Sequence, residues 1–353
     1  MNYKLLYEKG HDPDTVYIMQ SGEVIFFATN DDRYRITGQN LIIGTSEIIL
    51  SNLLGIPTKR VETAVVPQNT DVKYVKIDTF LEQFKQEGYL INIAKVTAQK
   101  LRLTNSIIKK NQDILLSGKK TLKQLFTQYY SIVSILRDEY NKRKLPWLKD
   151  TINKYTSSIQ FLKAESYAKA DIPVKIYETE ALSEKTIDLP PDHILCKEGD
   201  NDNEMFILQS GTLEVTVNSN RVALINEVGS TIGEISLLLG EKRSATIKTL
   251  TPVRVTKLNL NDLKTIAKTD IETILQIVYS LTKKFYNNIS LIRDINASVL
   301  NKKLEEEEGK ISERKEISSI SHDLEKLKFH VDELLYSHNA DYIREKRDRF
   351  LKI

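Results

Sequence analysis

Cys196 is the only cysteine in 353 residues. A lone cysteine excludes an intramolecular disulfide and any cysteine-based metal cluster. Its place in a run that reads as a strand makes it an inert, packed thiol. Histidine is also scarce: the five present are scattered and show no ligand spacing, so no metal site is expected. An excess of one charge sign is missing, since 51 Lys and Arg against 48 Asp and Glu leave a net +3. Nothing in the bulk charge therefore calls for nucleic acid or an anionic membrane. No apolar run approaches the length of a membrane span, and the opening MNYKLLYEKG is not a signal peptide. A reducing cytoplasm is the expected setting. A nucleophile with a paired base and a nucleoside-triphosphate loop are missing too, so no enzyme is expected. What is present is 41% hydrophobic and 28% charged. That composition reads as soluble and globular with exposed helices, at a length that suits two or three domains.

One stretch carries chemistry: Ile232-Gly233-Glu234-Ile235-Ser236-Leu237-Leu238-Leu239-Gly240-Glu241-Lys242-Arg243-Ser244-Ala245-Thr246. Gly233 lets backbone approach a ligand closely, because it has no Cβ. A short helix starting at Ile235 or Ser236 would aim free N–H groups and the positive end of its dipole at a phosphate. Arg243 supplies a planar fork of donors for phosphate oxygens. Ser244 adds a hydroxyl and a backbone N–H. Glu234 would repel a phosphate unless it faces something else. The economical assignment is a ribose hydroxyl, so the stretch points to an anion plus a sugar. The competing reading is an ion pair between Glu234 and Arg243 that brackets an amphipathic helix.

GEISLLLGEKRSAT resembles the phosphate-binding cassette of the cyclic-nucleotide-binding domain family. That is the fold of the catabolite activator protein and of the regulatory subunit of cyclic-AMP-dependent protein kinase. The resemblance implies that Glu234 holds the ribose 2′-hydroxyl and Arg243 the cyclic phosphate. Gly233, Ile235 and Ser236 would lend donors at the helix start, and Ser244 and Ala245 would close the cradle. Ile232 and Lys242 depart from the family pattern, at positions without ligand chemistry. The implied ligand is a cyclic nucleotide, with cyclic AMP favoured over cyclic GMP, and no further cofactor.

The strand-and-turn run ahead of this stretch has an echo near the start of the chain. Gly10 and Gly199, Ile18 and Ile207, Gln20 and Gln209, Ser21 and Ser210, and Gly22 and Gly211 share one constant offset. This reads as an internal repeat of a whole domain. The expected fold is therefore α+β: two antiparallel β-roll barrels of jelly-roll type, joined and followed by long α-helices. The first copy departs where chemistry would sit. Its Ile43-Gly44-Thr45-Ser46-Glu47 run separates Gly from Glu, Pro57 lies in a longer stretch before Arg60, and Glu62 puts a like charge beside any phosphate. The first copy is expected to bind no nucleotide.

Apolar residues recur at helical spacing through Phe80 to Ile108, Leu122 to Leu136 and Trp147 to Leu162. The Tyr-rich stripe among them reads as core and not as a stacking surface for nucleic acid. The expected layout is a degenerate barrel over 1–100, a helical connector over 101–170, the cyclic-nucleotide-binding unit over 171–298 and a charged helical tail over 299–353. Within it, Ile274, Val278, Leu281, Phe285, Ile292, Ile295 and Val299 form a heptad-like seam, with Asn288 at its one polar position. That seam predicts a coiled-coil homodimer or a protein partner through helices. The family's lid role makes Asn288, or Asn287, a candidate base contact. No helix-turn-helix or terminal β-hairpin wing follows the seam, and Arg344 to Arg349 mixes charge signs, so nucleic acid is not an expected partner. The alternative function is a ligand-free scaffold built on two empty barrels.

Overall fold

The computed structural model describes residues 2–114, 122–169, 176, 179–308 and 316–334. The stretch with Pro173 and the closing basic and acidic run at Arg344–Arg349 lie outside the described residues.

The chain opens with β1 (Tyr3–Tyr7), β2 (Thr15–Phe27) and β3 (Arg33–Ile43). A short helix α1 (Ser46–Ile48) and a π-helical turn (Ile49–Leu53) follow, then β4 (Thr63–Pro67) and β5 (Lys73–Lys76). Alternation in β2 puts Val24 and Phe26 on one face, both fully buried in the same core cluster. All five strands join one antiparallel sheet with the order β1-β4-β2-β3, and β5 pairs with the start of β2. The expected first barrel is thus a single sheet that does not close.

Helices take over next: α2 (Ile77–Gln83), α3 (Glu87–Ile114), α4 (Leu122–Arg143), α5 (Pro146–Thr156) and α6 (Ile159–Lys169). Pro146 opens α5 at the first turn, where its missing N–H costs nothing. A single turn α7 (Glu180–Ser183) leads into β6 (Thr186–Leu189), β7 (Ile194–Cys196), β8 (Glu204–Ser210), β9 (Leu213–Val217), β10 (Asn220–Ile225) and β11 (Thr231–Ile232). After α8 (Glu234–Leu239) come β12 (Thr246–Thr249) and β13 (Val253–Asn259). These strands make two four-stranded antiparallel sheets, β10-β9-β12-β7 and β11-β8-β13-β6. Phe206, Leu208, Leu213, Ile232, Ile247 and Val255 fill the space between them, as in a sandwich. Neither sheet closes on itself. Cys196 lies in this core, and burial pushes its thiol up from the ordinary range.

The chain ends in α9 (Leu260–Thr269), α10 (Ile271–Glu308) and α11 (316–334). A capping box starts α9: Asn259 accepts from the N–H of Asp262, and Asp262 accepts from the N–H of Asn259. The apolar stripe of α10 is covered within the chain from Ile274 to Ile295, and the Val299 side chain lies outside those described. Ile274, Val278 and Leu281 pack with Leu90, Ile93, Phe80 and Leu237. Phe285, Ile289, Ile292 and Ile295 pack on the inner face of the first sheet, against Phe26 and Ile36. The seam that predicts a dimer is therefore spent on α3 and the first sheet, which removes the physical argument for a homodimer through it. The stripe of the tail, Ile320, Leu324, Leu327, Val331 and Leu334, packs on α4, α5 and α6. Tyr129 and Tyr155 are buried in that same cluster, so they are core side chains.

Candidate functional site

The cradle is built from the β11–α8 turn and the loop before β12. Gly233 caps α8 with φ of +78°, a left-handed conformation that disfavours a side chain. The space a side chain would take is already filled. A Cβ at Gly233 would lie 1.9 Å from Nη1 of Arg243 and 3.2 Å from the carbonyl oxygen of Glu204. Arg243 is buried, at 3% exposure. Its Nη1 donates to the Gly233 carbonyl at 3.2 Å, and its Nη2 donates to the Glu204 carbonyl. Its Nε meets a carboxylate oxygen of Asp202 as an ion pair, although the two atoms are off hydrogen-bond alignment. The backbone of Arg243 is held as well: its N–H donates to Asp200 at 2.9 Å and its carbonyl accepts from Gly199 at 2.8 Å. The Glu-Gly-Asp turn of the upstream strands thus fixes the arginine from behind.

Glu234 occupies the first position of α8 and is 4% exposed. Its partner comes from α10: Lys284 Nζ donates to Glu234 Oε1 at 2.6 Å, and also to the carbonyl and hydroxyl of Thr231 at 2.7 and 2.9 Å. Glu234 and Arg243 do not pair with each other; each has a separate partner. The bracketing ion pair is therefore not what these two residues form. Ile235 is half-buried and Ser236 is buried, with its hydroxyl 3.4 Å from the Lys242 carbonyl. Gly240 ends the helix at φ of +66°, its N–H donating to Ser236. Ser244 is exposed and Ala245 half-buried at the far end of the loop. Helix α8 starts at Glu234, one or two residues before the expected start.

The site thus combines a buried arginine in a glycine gap, a buried glutamate nine residues earlier in the same loop-and-helix unit, and a sandwich beneath both. Residues 186–270 match the cyclic nucleotide-binding domain family. No curated protein matches the chain. Among solved structures, a PKAR CBD2 domain bound to Sp-2Cl-cAMPS is 26% identical, covering 24% of this chain and 57% of that one with a TM-score of 0.22. A cyclic nucleotide-binding domain from Methylobacillus flagellatus is 21% identical over 33% of this chain and 66% of its own, with a TM-score of 0.27. A cAMP-bound PfPKA-R is 16% identical over 79% of this chain and 80% of its own, with a TM-score of 0.23. The chain thus spans little more than half the length of the first of these.

Within the matched residues 186–270, Gly233, Glu234, Ile235, Ser236, Arg243, Ser244 and Ala245 all fall in one loop-and-helix unit. Asn288 does not join them. It sits on α10 and donates to Thr104 Oγ1 at 3.0 Å and to Asn105 Oδ1 at 2.7 Å on α3. Asn287 faces a separate cavity. Three participants escape a motif search: Asp202, Thr231 and Lys284. Asp202 lies in the acidic turn after Gly199, and Lys284 is a cation placed directly before Phe285 in an apolar seam, which is the one signal that could have pointed to it.

The corresponding residues near the start of the chain are arranged differently. Here Arg60 and Glu47 do pair, at 3.2 Å, and both are buried. Arg60 Nη1 also donates to the Gly44 carbonyl at 2.6 Å, and Glu47 accepts from the N–H of Val61 at 3.1 Å. Glu62 is fully buried and pairs with Lys100 of α3, while Tyr34 and Tyr7 donate to it. Burial pushes the Glu62 carboxyl above its ordinary range, against the pull of Lys100. Among the described residues, no group of His, Cys, Asp and Glu could hold a metal ion, and no helix is long and apolar enough to cross a membrane.

Proposed function

We propose that this chain is a cyclic nucleotide sensor whose ligand sits in the cradle of residues 231–245. Arg243 binds the cyclic phosphate, and Glu234 accepts from the ribose 2′-hydroxyl. The observation that carries the reading is the guanidinium of Arg243, buried in the gap of Gly233 and tied by its backbone to the Gly199 turn. A buried arginine with a ligand-sized neighbour of opposite charge is worth far more than an exposed one. Cyclic AMP is the first nucleotide to test, and cyclic GMP the comparison. The signal would travel through Lys284. To reach Glu234, a ribose must displace or share the ammonium group, and α10 carries that group against both α3 and the first sheet.

Calorimetric titration of the full chain with cyclic AMP and cyclic GMP tests this. Arg243→Ala removes a charge-assisted contact worth about 1.5–3 kcal/mol and leaves the phosphate unpaired, so binding should weaken roughly 100-fold or more. Arg243→Lys should fall between, because it keeps charge and loses the fork. Wild-type protein with no affinity for either nucleotide at millimolar concentration would overturn the proposal. The scaffold reading would then stand, and one observation favours it: Glu234 and Arg243 both already have partners within the chain.

A further inference from the structure

A cavity of about 600 Å³ lies away from the cradle, between β10, α4, α6, α10 and α11. Its size is within the range of small-molecule sites, roughly 300–1,000 Å³. Its lining is of three kinds, one of them neutral polar, from Thr127, Gln128, Ser131, Asn287 and Ser290. Ile132, Leu224 and Leu291 supply apolar wall, and so do two large apolar side chains that are otherwise left open, Tyr167 at 41% and Val222 at 43% exposure. Three cations complete it: Arg221, Lys283 and Lys328, from three separate elements. Among the described residues, no carboxylate lines the cavity.

Two of these cations have acidic partners within the chain, and none of those carboxylates lines the cavity. Arg221 is held by Glu214 on β9 and by Asp332 on α11 at 3.1 Å, and Lys328 by Glu325 at 2.7 Å. Those pairs use two of the three guanidinium nitrogens and fix the side chains in place without filling the space in front of them. Lys283 is buried, at 8% exposure, and lines the cavity from α10. Three cationic side chains thus meet on one concave surface whose remaining wall is partly apolar and partly neutral polar. Such a surface rewards a ligand with an anionic head and an apolar body, and gives a neutral ligand only the second half of the gain.

We infer that this cavity is a second ligand site, for an organic anion with an apolar body. It is distinct from the cradle. With 3.6 residues per turn, α10 turns Lys283, Tyr286 and Ser290 to the cavity and Lys284 to Glu234, on adjoining faces of one helix. Occupancy would therefore press on the same helix that holds the Glu234 carboxylate.

Octanoate and octan-1-ol, which differ in charge and share a chain, test the inference by calorimetry on the full chain. Octanoate should bind once per chain and about tenfold more tightly than octan-1-ol, the factor expected for one charge-assisted hydrogen bond. Lys328→Gln should narrow that preference. Ala168→Trp, and independently Ser131→Phe from the facing wall, should fill the cavity and abolish binding while thermal melting shows the variant folded. Saturating cyclic AMP should leave octanoate binding in place. Absence of heat with octanoate at millimolar concentration, equal binding of the alcohol, binding that survives both filled variants, or full competition by cyclic AMP would each overturn it. Failure of the nucleotide to bind would not, because the probe and the blocking variants act at a different site.

Discussion

The seat of Arg243 can be tested through a residue that carries no chemistry. Gly233→Ala adds one methyl group. At φ of +78° an L side chain costs about 1–2 kcal/mol in backbone strain alone. The new Cβ would also lie 1.9 Å from Arg243 Nη1 and 2.9 Å from its Cζ, so the guanidinium must leave its place. Leaving costs hydrogen bonds to the carbonyls of Gly233 and Glu204, about 1.5–3 kcal/mol for such charged donors. The total is about 2.5–5 kcal/mol, summed from the strain and hydrogen-bond ranges. Gly199→Ala separates the parts, since its φ is +87° and nothing lies within 4 Å of the added methyl. Chemical denaturation of both variants gives the comparison. Gly233→Ala should lose at least about 1.5 kcal/mol more than Gly199→Ala. The excess should vanish in an Arg243→Ala background, where the clash has no partner. Equal destabilisation by the two alanines would show that Arg243 does not occupy the glycine gap, and would remove the basis of the proposed phosphate contact.

Further outcomes follow from the other buried charges. Lys284→Met should destabilise the fold, by less than the about 3–5 kcal/mol of a fully buried pair because the lysine side chain is 37% exposed, and should raise nucleotide affinity by freeing Glu234. Unchanged affinity in that variant would sever α10 from the cradle. Lys100→Met should cost about 3–5 kcal/mol by stranding Glu62, and Glu62→Leu added to it should recover part of the loss; a double variant no more stable than the single would refute the pairing. Burial pushes the Asp270 carboxyl up, yet hydrogen bonds from Thr273 and Thr179 outweigh this and hold it below the ordinary carboxylate range. Its stabilisation is present above the ordinary value near 3.9 and is lost as the pH falls through the lower folded value. Asp270→Asn should therefore flatten the decline of melting temperature in acid, and a slope equal to wild type would contradict that. Because the α10 seam is covered within the chain, light scattering at tens of micromolar should report a monomer; a dimer would mean that another surface is used.

The cradle was legible because its parts are close in sequence. Gly233, Glu234 and Arg243 sit within one turn, one short helix and one loop, so their spacing alone implies a shared pocket. Their partners were not legible. Asp202 reaches Arg243 from a turn four strands earlier, and Lys284 reaches Glu234 from a helix fifty residues later. Only the packing of sandwich, α3 and α10 brings these together, and no local pattern encodes it. The same holds for the seam from Ile274 to Ile295. Its periodicity identified an apolar stripe correctly, but a stripe does not say what covers it. Here Leu90, Ile93 and Phe26, all from far upstream, do so. The single five-stranded sheet near the start of the chain was missed for a related reason. Alternation marks strands, while β2, at thirteen residues, is long enough to pair with β3, β4 and β5 at once.

The shared packing of α10 bears on how the molecule can be taken apart. Residues 186–270 look like a portable module, with their own sheets and their own loop. Cutting after 270 would nonetheless remove Lys284 from Glu234 and would uncover Leu237 and Leu238 on the outer side of α8, which now pack with Leu90, Ile274 and Val278. An excised segment would thus carry an unmasked carboxylate and a sticky face. Its behaviour would describe a different object, and grafting it into another protein would import the cradle without the helix that answers to it.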